Sequence, residues 1–120
     1  MNLRIIILLS YLLSTVTIAA EYYVTPPTTS TRSYVPAISD DKMEQCVKLY
    51  NESEWLYKKM NDTSVDSYSK KSVDNYNKMV EQHTRMASTF NTECAEKQSR
   101  SACKAAQKLN KEQGFPYQGC

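Results

Sequence analysis

The chain has 120 residues, room for one hydrophobic core and not for two. Its 15 Lys and Arg face 13 Asp and Glu, a formal charge of +2, and the two signs are interleaved, so neither total nor patterning points to nucleic acid. Two glycines leave no material for a Gly-rich phosphate loop, and no nucleophile–base pair or ligand cluster with metal spacing occurs, so no catalytic, metal or cofactor residue is assigned.

Residues 1–20 read as a cleaved secretory signal: Arg4 is the basic start, Ile5 to Leu13 the apolar run, and Thr17-Ile18-Ala19 or Ile18-Ala19-Ala20 the cleavage site. An apolar run of about nine residues falls well short of the roughly 20 that span a bilayer. No stable membrane anchor is expected after cleavage. Export to the periplasm or the extracellular space permits disulfides among the four cysteines.

Residues 21–38 carry Pro26, Pro27 and Pro36 among many Thr and Ser and lack any apolar period. They read as a flexible, extended leader. Tyr22-Tyr23-Val24 and Tyr34-Val35 leave a tether or a partner-binding strand open as alternatives.

Residues 39–120 read as a three-helix domain. Asp41-x-x-Glu44 can form a capping box, and Met43, Cys46, Val47, Tyr50, Tyr57 and Met60 follow at helical spacing, with Leu49, Trp55 and Leu56 widening the face. The first helix is expected over 41–60, ended by the turn chemistry of Asn61-Asp62-Thr63-Ser64. The second runs from Ser64 or Ser69 to Cys94. Its Val73, Tyr76, Val80, His83, Ala87, Phe90 and Cys94 step alternately by three and four residues, a coiled-coil-like seam. Ser99-Arg100-Ser101 offers a cap for a third, shorter helix whose Ala102, Cys103, Ala105, Ala106 and Leu109 form a narrow face, with Gly114 ending it. The fold class is all-α: an antiparallel helical hairpin plus a shorter third helix, stapled by disulfides.

Helical geometry suggests the pairing. With a hairpin turn near residue 62, Cys46 stands level with residue 78 and Cys94 lies about 24 Å further along, beyond the roughly 7 Å a disulfide allows. A third helix folding back near residue 98 brings Cys103 beside Cys94 and Cys120 level with Cys46. The expected bridges are Cys94–Cys103 and Cys46–Cys120.

His83 lies on the seam and reads as a packed or half-buried side chain rather than a base or ligand. Asn51-Glu52-Ser53 and Asn61-Asp62-Thr63 match the glycosylation sequon, but such matches arise by chance in a chain this rich in Asn, Ser and Thr. The tyrosines supply apolar area with a polar edge, suited to a core or to an interaction surface.

The run Tyr76-Asn77-x-x-Val80-x-x-His83-x-x-x-Ala87-x-x-Phe90-Asn91-x-x-Cys94, with Lys97-Gln98-Ser99, Ala105-Ala106-Gln107-Lys108-Leu109-Asn110 and Cys46-Val47-Lys48-Leu49-Tyr50-Asn51, resembles uncharacterised exported proteins of Gram-negative bacteria. Thr84 departs from that pattern, where Asn is frequent. The resemblance implies a periplasmic location and carries no activity. Small four-cysteine helical proteins secreted by insects, including odorant-binding-like folds, share the eight-residue gap between Cys94 and Cys103 but have a Cys-x3-Cys pair that this chain lacks.

Together these readings describe an exported, non-catalytic helical protein, an envelope interaction or structural module. Its partner is an unknown protein or a second copy, meeting the seam Val73, Tyr76, Val80, His83 and Phe90. The alternatives are a carrier of a small apolar ligand or a secreted effector.

Overall fold

The structure is a computed structural model that describes residues 21–27, 34–97 and 101–116. The expected signal, the Ser99-Arg100 part of the third helix's expected cap, and Cys120 lie outside these residues. Three helices make up the architecture: α1 over Asp40–Asp62, α2 over Lys70–Glu93 and α3 over Ala102–Gln113. This is the expected hairpin plus a shorter third helix.

The helix starts follow cap chemistry. Ser39, rather than Asp41, caps α1, its side chain accepting from the Lys42 amide at 3.2 Å, so Asp40 and Asp41 fall in the first turn, where the helix dipole favours negative charge. Ser69, the later of the two expected starts, caps α2 by accepting from the Ser72 amide. Ser101 holds the cap position of α3, but its side chain makes no capping bond. Gly114 ends α3 in the left-handed region at φ 69°, which glycine adopts without steric cost, and the Phe115 amide returns to the Asn110 carbonyl at 2.8 Å.

The packing order differs from expectation. Both α2 and α3 pack against α1, and α2 and α3 do not pack against each other. The helix of the middle layer is therefore α1. The core gathers Met43, Cys46 and Val47 from α1, Ala105, Ala106 and Leu109 from α3, Cys94 just past α2, and Tyr23 from the N-terminal segment. No residue within α2 itself is buried.

The expected disulfides are also corrected. Cys46 is bonded to Cys94, with Cα atoms 5.6 Å apart, so neither Cys94–Cys103 nor Cys46–Cys120 forms. Cys103 is disulfide-bonded as well. The cause is the hairpin register. Tyr50 meets Phe90 with ring centroids 5.7 Å apart and Tyr57 meets His83 at 5.5 Å, and residue 70 lies midway in each of these pairs, as it does between Cys46 and Cys94.

A midpoint at 70 instead of 62 moves every cross-hairpin partner by sixteen residues, which is the 24 Å that separated Cys46 from Cys94 in the expected register. Thr63 to Ser69 produces the shift. Thr63 is extended, and the chain then bends through an Asx turn in which the Tyr68 amide donates to the Asp66 carboxylate at 3.0 Å. Extended backbone advances about 3.3 Å per residue against 1.5 Å in a helix, so this arm runs outward about as far as the first two turns of α2 return. Those turns, with Val73 and Tyr76, lie beyond the end of α1.

Candidate functional site

Two regions stand out: a buried seat between α1 and α3 that holds the N-terminal segment, and the apolar stripe of α2.

The seat is built by two asparagines on otherwise apolar faces. Asn51 follows Val47 by one turn of α1, and Asn110 follows Ala106 by one turn of α3; they are 2% and 0% exposed. A buried carboxamide is costly unless its oxygen and its NH2 are both paired. Here each is paired with one residue of an extended strand. The Tyr23 amide donates to Asn110 Oδ1 at 2.6 Å, and Asn110 Nδ2 donates back to the Tyr23 carbonyl at 2.9 Å. The Val24 amide donates to Asn51 Oδ1 at 2.9 Å, and Asn51 Nδ2 donates to the Val24 carbonyl and to its own helix at Val47, both at 2.7 Å.

Successive residues of an extended chain turn their N–H and C=O to opposite edges. Tyr23 therefore faces α3 and Val24 faces α1, and each carboxamide does what a neighbouring strand does in a sheet. Among the described residues, no buried side-chain polar atom is left without a partner.

The Tyr23 side chain leaves the strand at right angles to these bonds and enters the core at 3% exposure. Its ring lies 4.8 Å from that of Trp55 and 6.0 Å from that of Phe115, which the Gly114 turn swings back over α3. Its hydroxyl donates to Glu52 Oε1 at 3.2 Å. Burial, with the negative charge and hydrogen bond of Glu52 behind it, pushes the Tyr23 phenol up to about 12. Lys108 of α3 reaches Glu44 of α1 at 2.8 Å and braces the same pair of helices. At Tyr23 and Val24 the expected flexible leader is instead held by hydrogen bonds.

The stripe of α2 faces α1 through His83 and Phe90. Val73, Tyr76, Val80, His83, Ala87 and Phe90 are all half-buried; α1 covers the stripe from one side only as far as its own end, while α3 sits elsewhere on α1. His83 lies against Tyr57, in keeping with a half-buried packing role. The hairpin tip adds Val65 and the fully exposed Tyr68. Of the sequons, Asn51 is committed to the Val24 clamp and Asn61 is exposed.

The structure thus brings Cys46 to Cys94 and sets His83 and Phe90 along the hairpin, but leaves Val73 and Tyr76 beyond the reach of α1. Sequence reasoning left Tyr22-Tyr23-Val24 open as a partner-binding strand but missed Asn51 and Asn110 as its partners. The available signal was an asparagine one turn after a core residue on each of two helices. Among the described residues no group of His, Cys, Asp or Glu is arranged to hold a metal, and no helix is long and apolar enough to cross a membrane. The chain matches no known family, no curated protein and no solved structure.

Proposed function

We propose that the protein is an exported, non-catalytic interaction module that acts through the α2 stripe and pairs with a second copy of itself. The observation that carries the reading is that a 24-residue helix presents a continuous apolar stripe while burying none of its own residues. A second stripe laid along the uncovered flank would complete the packing, and the near-neutral charge opposes no such approach. Export is supported by the disulfides and by the apolar run Ile5 to Leu13 after Arg4. The resemblance to exported proteins of Gram-negative bacteria favours the periplasm.

Sedimentation equilibrium tests the reading. A concentration-dependent dimer that Val80→Asp dissociates is the expected result. A monomer at every concentration, with or without the substitution, contradicts it.

A further inference from the structure

The seat between α1 and α3 has the chemistry of a recognition site, independent of the α2 stripe. Its four clamp bonds go to main-chain groups that every non-proline residue carries, so it reads an extended backbone at two consecutive positions. Sequence is read at one position, where Trp55, Phe115 and Glu52 enclose a tyrosine ring and its hydroxyl. Without a strand in place, the two carboxamides would lose every bond that makes their burial tolerable, apart from the one Asn51 makes to its own helix.

The strand that fills the seat comes from outside the helices. Residues 25–38, with Pro26, Pro27 and Pro36, separate it from the Ser39 cap. Beside it runs an open groove of about 960 Å³, walled by Tyr22 and Val24 on one side and by Trp55, Leu56, Lys58 and Lys59 of α1 on the other. Strand addition of this kind takes affinity from main-chain bonds and selectivity from side-chain pockets.

We infer that the seat between α1 and α3 is a binding site for an extended peptide carrying a tyrosine, that Glu21–Pro27 fills it as a tethered ligand, and that such a strand from a different protein displaces it. A tethered ligand is present at an effective concentration of about millimolar, so a free strand competes well only when the tethered one is weakened.

The test uses the full chain carrying Tyr23→Ser and, as probe, a synthetic peptide of residues 21–27. Trp55 is the one tryptophan and lies against the Tyr23 ring, so its emission reports occupancy. The peptide should bind the variant saturably and at least about tenfold tighter than the unaltered chain. N-methylation of the peptide at the position of Val24, or Asn51→Ala added to the variant, should abolish binding. A folded variant that shows no saturable change, or that binds the N-methylated peptide equally well, overturns the site.

Should Tyr23→Ser lose its helical circular dichroism, amide exchange on the unaltered chain decides. Tyr23 and Val24 amides exchanging at least about tenfold faster than that of Val47 support release without unfolding, and equal rates overturn it. Light scattering separates the occupants. A dimer of the Val80→Asp chain that the free peptide dissociates assigns the groove to a second copy and overturns the assignment to a foreign strand.

Discussion

Cys46 and Cys94 stand level across the α1–α2 hairpin, and their bond ties the start of one helix to the end of the other, at the opposite end of the pair from the connecting arm. The ring contacts of Tyr50 with Phe90 and of Tyr57 with His83 repeat the same register along the pair. A helix that buries none of its own residues is thus held on α1 by a covalent bond at one end and by the ring contacts of Phe90 and His83 further along.

Removing that bond should therefore be costly. It closes a loop with a sequence separation of 48, for which the chain-entropy picture gives about 4 kcal/mol. The double substitution Cys46→Ala with Cys94→Ala is expected to lower unfolding stability by that order in urea titration. The loss should be largest in α2, read as faster amide exchange there than in α1 and α3.

The asparagine clamp makes a second demand. Asn110→Ala leaves the amide and carbonyl of Tyr23 buried without their partners, which costs about 2 to 3 kcal/mol. Asn51→Ala should cost a similar amount through Val24. Because both residues hold one strand, the double variant should lose less than the sum of the single losses, measured by a double-mutant cycle.

Much of the fold was legible in the sequence, because α1, α2 and α3 each carry apolar residues at three- and four-residue spacing, α2 starts at the Ser69 cap and α3 ends at Gly114. The hairpin register was not legible, since it depends on whether Thr63 to Ser69 folds back tightly or runs outward, and turn-forming residues permit both. The seat was hidden for a different reason. Asn51 belongs to a sequon and Asn110 follows Gln107-Lys108-Leu109 near the end of the third helix, so neither is marked by local pattern as a buried residue. Only the arrival of Tyr23 from a proline-rich leader gives their burial a purpose.

Alkaline pH probes Tyr23. Its phenol titrates near 12 in the folded chain against an ordinary value of 10.0, so the neutral form is favoured by folding. The resulting stability is fully present below pH 10 and is lost as pH rises from 10 to 12. Tyr23→Phe removes the hydroxyl bond to Glu52, costing about 1 kcal/mol at neutral pH, and should flatten this part of the decline. Urea midpoints taken across that range for both chains check it.

At Gly114 the backbone is left-handed, and although a Cβ would meet nothing within 4 Å, the conformation itself is strained for alanine. Gly114→Ala is expected to cost about 1 kcal/mol. It should also shift Trp55 emission, because the turn sets Phe115, whose ring centroid lies 6.1 Å from that of Trp55.

Non-reducing peptide mapping tests the architecture most directly, because trypsin places the four cysteines in four separate peptides, residues 43–48, 86–97, 101–104 and 112–120. With α1 in the middle layer and residue 70 at the hairpin midpoint, the peptide of Cys46 is joined to that of Cys94. Cys103 is in a separate bridge. Recovery of Cys94 joined to Cys103, or of Cys46 joined to Cys120, would contradict the register and with it the place of α1 between the other two helices.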